Sequence, residues 1–255
     1  METRPAGATP GYELIGDDMQ AVVVSLTAGQ TVRAEAGSLM FKTAGVSMDA
    51  RMEGGLLGGL KRKLLAGESF FITNFTCEAP SGRLAFSAPY PGKILAHELA
   101  GDALMCQKDA YLCSLGDIDI DIAFTKRLGA GFFGGEGFIL EKLSGQGLVF
   151  VHAGGTLLTT DLGAGEALEV DTGCLVAFQP SVDYDIQRVG GVKTTLFGGE
   201  GLFFARLTGP GRVFLQTLPF SRLADRIAGA FRGGQGEQRR GGSLSSALGN
   251  LISGD

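Results

Sequence analysis

The sequence predicts an all-β domain of three internal repeats, followed by a short C-terminal helix and a low-complexity tail. Three observations carry that prediction. Shifted against itself by 64 residues, the stretch from Gly101 to Gly147 overlays Gly165 to Gly211 without a gap, and 14 of 47 positions are identical. They include Phe133-Gly134-Gly135-Glu136-Gly137 over Phe197-Gly198-Gly199-Glu200-Gly201. Glycine supplies 42 of 255 residues, roughly twice the usual ~7%, with only 8 prolines and no G-X-Y period, which points to many tight turns. Before residue 219 no apolar run keeps an i, i+3, i+4, i+7 spacing for more than about one turn.

Each repeat reads as strands separated by glycine turns. The first copy lies upstream with insertions, Gly29 standing for Gly101, Glu68 for Glu136 and Gly82 for Gly147. Residues 21–26 and 31–34 open it as two apolar strands. Residues 94–99 and 157–162 are the partners of the first of these. Behind each repeated Glu comes an apolar strand at 70–72, 138–140 and 202–204. A glycine turn leads from it to a second strand at 83–86, 148–151 and 212–215, which is a hairpin pattern. The repeats therefore span 12–90, 91–155 and 156–219, after a disordered N-terminal tail at 1–11. One copy cannot bury its apolar face alone, so the three are expected to close around a common core as a pseudo-threefold prism or barrel and form one domain.

Past Pro219 the pattern changes. Apolar residues at 220, 223, 224, 227, 228 and 231 form a helical stripe over 220–232, with Ser221 as its expected cap. Residues 233–255 read as a flexible tail.

The charge balance, 22 Lys+Arg against 27 Asp+Glu, gives a net −5 and argues against nucleic acid as a partner, since phosphate affinity rests on clustered cations. The segment from Ser221 onward runs against that trend, with five arginines and three acids. No apolar run reaches the ~18–20 residues of a membrane span. The first residues lack a secretory or transit pattern, so a cytoplasmic location is expected. Cys77, Cys106, Cys113 and Cys174 form no C-x-x-C pair and there are two histidines, so no metal site and no cofactor are expected. The thiols read as small buried hydrophobes.

Several segments could carry chemistry. Gly129-Ala130-Gly131-Phe132-Phe133-Gly134 matches G-x-G-x-x-G, but a strand follows where a dinucleotide site needs a helix, so it reads as a repeat turn. Asp117-Ile118-Asp119-Ile120-Asp121 alternates with period two, placing three carboxylates on one face of a strand, a solvated outer face. Asp183, Asp185 and Asp49 continue the pattern in the other copies. Glu68, Glu136 and Glu200 recur at one point of every copy. They either converge on an axis to share a cation or accept N–H bonds from their own turns, and the second reading is preferred. His97 and His152 have no Ser or Cys neighbour placed as a nucleophile, so no catalytic residue is assigned and the chain is not expected to be an enzyme. The stretch 54–65 joins Leu56, Leu57 and Leu60 to the basic Lys61-Arg62-Lys63 among flexible glycines, a combination suited to an anionic membrane surface or an acidic protein. It can equally be a loop packed under a neighbouring repeat.

The run GGLLGGLKRKLLAGESFF at 54–71, with FFGGEGFILEKLSGQG at 132–147, resembles bacterial proteins related to the altered-inheritance-of-mitochondria family, over about 12–220. That family resembles the tryptophan RNA-binding attenuation protein in fold. The resemblance implies a β-prism of three repeats and a homo-oligomer, with a trimer favoured. In fungal mitochondria, relatives are associated with inner-membrane organisation. The resemblance carries over no activity, and neither tryptophan nor RNA binding. The expected function is a non-enzymatic oligomeric scaffold that binds a protein or membrane surface through protruding loops. The alternative is a small-ligand or metal-binding protein, or an enzyme, with a pocket between repeats.

Overall fold

The computed structural model describes residues 11–52, 71–126, 138–188 and 203–230. Residues through Pro219 belong to one compact unit and those from Phe220 to a second. In the second unit a helix, α1, occupies 220–230 directly after Pro219, so Ser221 lies inside its first turn and does not cap it.

In the first unit the opening third contributes β1 (Tyr12–Ile15), β2 (Ala21–Thr27), β3 (Thr31–Glu35), β4 (Leu39–Lys42), β5 (Val46–Met52), β6 (Phe71–Cys77) and β7 (Ser81–Ser87). The middle third has three long strands, β8 (Gly92–Gln107), β9 (Tyr111–Lys126) and β10 (Phe138–Gly154). The last third holds β11 (Leu157–Leu162), β12 (Ala167–Asp171), β13 (Leu175–Phe178), β14 (Asp183–Arg188), β15 (Phe203–Thr208) and β16 (Gly211–Gln216). They lie in three sheets, β1-β2-β7-β4, β11-β16-β13-β8-β10-β9-β3-β6-β5 and β12-β15-β14. The expected closed barrel does not form among the described strands.

The pairing scheme recurs along the chain. In the first third β7 lies between β2 and β4, and β6 between β3 and β5. In the last third β16 lies between β11 and β13, and β15 between β12 and β14. In the middle third β10 alone lies between β8 and β9, each long strand doing the work of two. Gly82, Gly147 and Gly211 stand opposite Leu26, Leu99 and Leu162. Each third also carries a bulge at one place, with Met40, Leu112 and Val176 left out of register against β7, β10 and β16. Gly29, Gly101 and Gly165 all take positive φ, at 83°, 92° and 76°.

Two joints link the thirds. β3 pairs with β9, with Arg33 opposite Ser114 and Ala34 opposite Cys113. β13 pairs with β8, with Phe178 opposite Met105 and Ala177 opposite Cys106. The register is the same in both once the thirds are aligned.

Why the middle strands run on where glycine turns were expected is visible at Gly116 and Gly145. Their φ angles are 105° and 125°, and a Cβ on either would lie 2.6 Å from the Gln146 carbonyl oxygen or 2.1 Å from that of Asp117. Glycine here lets two strands crease together while the ladder continues, which any larger residue would prevent.

The apolar core falls into three clusters rather than one common centre. Val22, Val24, Leu84 and Phe86 pack on Phe75, Leu112 and Phe150. Leu104, Tyr111, Val149 and Val151 pack on Val176, Ala177 and Phe214. Phe138 and Leu140 pack on Leu175, Phe178, Leu207 and Val213. The strands between clusters are buried on both faces, so Leu148–Val151 and Leu175–Phe178 read as continuous apolar runs without alternation.

Candidate functional site

The chemistry-bearing side chains gather where β3 meets β9. Arg33 reaches across the joint and its guanidinium Nη1 donates to the Ile118 carbonyl. The Tyr111 hydroxyl donates to the Arg33 carbonyl at 2.9 Å and shares a second 2.9 Å bond with the Ser114 hydroxyl. Tyr111, Ser114, Cys106 and Glu141 are all buried. Burial drives the Cys106 thiol well above its ordinary range, with the Glu141, Glu35 and Asp109 carboxyls adding to the effect. Tyr111 is raised by burial against the lowering effect of its bond to Ser114, and Cys113 by burial alone. These groups are therefore protonated at neutral pH, which makes the thiols poor nucleophiles.

The histidines are held neutral as well. His152 packs edge-on to Tyr90 with ring centroids 4.6 Å apart, and burial lowers its pKa to about 4 against the pull of a hydrogen bond to the Tyr90 backbone. His97 stands edge-on to Phe214 at 6.2 Å, lowered by burial to a lesser degree. Both contacts are with aromatic rings, and neither ring bonds a serine or cysteine among the described residues.

Amide side chains serve the backbone. Gln20 accepts from the Ile94 N–H at 2.7 Å, Gln179 from that of Arg212 at 2.8 Å, and Gln216 from that of Gly154 at 2.7 Å. Gln216 also donates to the Gly173 carbonyl at 2.8 Å. Each bond satisfies a backbone group that a bend or strand end leaves unpaired.

A cleft of about 530 Å³ opens at the crease, between the Gly29–Thr31 turn and the Gly116 and Gly147 positions. Its polar lining is Gln30, Thr31, Glu98 and Gln146. Gln30 is already engaged, its side-chain oxygen accepting from the Thr27 N–H at 2.8 Å.

The acidic row behaves as a solvated face: Asp117, Asp119 and Asp121 are exposed while Ile118 and Ile120 are buried. Asp49, Asp183 and Asp185 are exposed too. Among the described residues no three His, Cys, Asp or Glu side chains stand together as a metal would require. Cys77, Cys106 and Cys113 are buried free thiols and Cys174 is half-buried. Leu56, Leu57, Leu60, Lys61, Arg62, Lys63, Glu68, Glu136, Glu200 and the 129–134 glycine run lie outside the described residues.

Sequence reading passed over Glu141 and Arg33. A signal for Glu141 exists: it faces Cys106 at the place where the aligned positions are Thr73, facing Ala34, and Ala205, facing Val170. A charge where the aligned positions of the other thirds carry a small residue is a detectable break in the pattern.

A model of the family described as mitochondrial biogenesis AIM24 matches residues 12–218. An uncharacterised protein of Streptococcus pyogenes serotype M6 is 27% identical over 213 residues, covering 81% of this chain and 84% of its own. The crystal structure of a Streptococcus pyogenes protein superposes with a TM-score of 0.72 at 24% identity, over 86% of this chain and 98% of that one. At that identity the likeness concerns the fold. Among the described residues no helix is long and apolar enough to cross a membrane.

Proposed function

The chain belongs to the mitochondrial biogenesis AIM24 family, and on that premise we propose that it is a non-enzymatic, homo-oligomeric β scaffold whose loops contact a protein or membrane surface. In this reading one β module is present three times in the chain. The recurring pairing, the recurring bulge and the two joints of one register support it. A trimer is the closed assembly favoured, as the family resemblance implies.

The observation that carries the non-enzymatic part is the fate of the reactive groups. The Cys106 and Cys113 thiols and the Tyr111 phenol are protonated by burial, the histidines are neutral against aromatic rings, and the Gln20, Gln179 and Gln216 amides are spent on the backbone. Surface contact is assigned to 54–65, where Leu56, Leu57 and Leu60 adjoin Lys61, Arg62 and Lys63. Sedimentation of the full chain with vesicles of phosphatidylcholine and phosphatidylserine tests it. Binding that falls about tenfold when Leu56, Leu57 and Leu60 become Ser agrees with the reading. Binding that is unchanged in that variant removes this loop from the account.

A second reading rests on the crease cleft, whose Glu98 and Gln146 could orient a small polar ligand. A ligand that raises the melting temperature of the wild type but not of Gln146→Ala supports it.

A further inference from the structure

The joints between thirds follow one rule, which is applied twice and left unapplied once. In each joint the strand carrying the bulge pairs with the strand segment that follows the aligned positive-φ glycine of the preceding copy, β9 with β3 after Gly29 and β13 with the part of β8 after Gly101. By the same rule β4 would pair with β12. Among the described residues β4 pairs with β7 alone and β12 with β15 alone, so each presents an edge.

Burial at the bulge tells the same story. In the two made joints the bulge turns two neighbouring side chains into the core of the preceding copy. Leu112 and Cys113 enter the first cluster, Val176 and Ala177 the second, and all four are at most 2% exposed. At the aligned positions on β4, Met40 is 57% and Phe41 45% exposed. The third cluster, which by this rule should receive them, ends at Val170 on β12. Two large apolar side chains beside a free strand edge are what soluble proteins normally avoid, unless the edge has a partner.

We infer that β4 of one protomer pairs antiparallel with β12 of a second copy of this chain, in the register of the two internal joints. This inference rests on the homo-oligomeric reading above and names the surface that makes the assembly. Aligning the thirds puts Phe41 opposite Val170 and Lys42 opposite Glu169. Phe41 and Met40 then enter the second copy's third cluster, and Lys42 meets a carboxylate across the strands. In the free protomer the exposed Lys42 ammonium donates to the Val46 carbonyl at 2.7 Å in a part-buried bond, and Glu169 pairs with Arg206 at 3.6 Å at the surface, where such pairs exchange easily. Ala85 and Val23, beside the edge on the same sheet, are already covered, so the new contact is an edge contact led by Met40 and Phe41. Because the two edges differ, the contact is head-to-tail and generates a ring where the rotation closes.

Native mass spectrometry of the full chain, together with a Lys42→Cys/Glu169→Cys double variant oxidised and run on a non-reducing gel, tests this. The inference expects covalent ladders of two or more chains, absent from oxidised wild type. It also expects Lys42→Glu to weaken association about tenfold, and Glu169→Lys in the same chain to restore it. A cross-link confined to a single chain means that the edges close within the protomer, and it overturns the inference. An assembly that persists with no cross-link and no charge dependence also overturns it, while leaving the oligomeric reading intact. A monomer at micromolar concentration defeats both.

Discussion

The bulge of β9 and the bulge of β4 occupy the same place in the same ladder, yet one is inside the molecule and the other at its surface. Tyr111, Leu112 and Cys113 are buried between two clusters, whereas Leu39 is half-buried and Met40 and Phe41 are exposed. The local backbone is alike, since both strands skip one residue against the hairpin strand beside them. The difference lies in what stands on the other side. β9 has β3 at its edge, and β4 has no strand there among the described residues. Burial in this fold is thus decided by position in the series of sheets, and an apolar residue at the end of the series is informative because its counterparts are covered.

The comparison is sharpest at the aromatic side chains. Phe150, wholly buried in the first cluster, should lose about 3–5 kcal/mol of stability on replacement by Ala. Phe41→Ala in the isolated protomer should cost under about 1 kcal/mol, both read by urea unfolding. Comparable losses at the two positions would mean that β4 is covered in the protomer.

The two histidines provide a second contrast. His152 has a folded pKa of about 4, below the ~6.5 of an unfolded chain, so its neutral burial contributes stability above pH 6.5. That contribution is lost as pH falls from about 6.5 towards 4, by up to about 3 kcal/mol. His152→Gln should flatten this part of the stability profile, and His97→Gln, at a half-buried site, should alter it less. A profile unchanged in His152→Gln would contradict the assignment.

Glycine positions separate by what surrounds them. Gly116→Ala places a methyl 2.6 Å from the Gln146 carbonyl oxygen at a φ of 105°, and should cost about 2–3 kcal/mol. Gly29→Ala also meets a positive φ, but open space, and should cost about 1 kcal/mol. The smallest effect is expected at Asp161, whose bonds to Arg212 at 2.7 and 3.1 Å lie in solvent: Asp161→Asn should leave the melting temperature unchanged within error.

Much of the architecture is local information, and local information is what a sequence displays. Residues 157–162 are a strand with the bounds that their apolar run suggests, and the Asp117–Asp121 alternation reports its exposed and buried faces directly. The aligned glycines 29, 101 and 165 mark positive-φ positions in all three thirds. What was not legible depends on distant partners. Glycine at 101 and 116 signals a break in the chain direction. Only the strands alongside determine that β8 and β9 bend and continue there. The separation of the core into three clusters follows from the joints, and a joint between Ala34 and Cys113 leaves no trace in the periodicity of either strand. For the candidate site, Glu141 was open to detection by comparing the aligned thirds. Arg33 was not, since its role depends on meeting the Ile118 carbonyl across the fold. The basic loop and the repeated glutamates remain assignments from sequence, outside the described residues.

Cross-strand nuclear Overhauser contacts in the deuterated full chain test the recurring ladder most directly. The account predicts contacts between Phe41 and Ala85, Cys113 and Phe150, and Ala177 and Phe214, with Met40, Leu112 and Val176 each displaced from register. A third whose contacts are shifted by one residue, or which lacks the displaced residue, would contradict it.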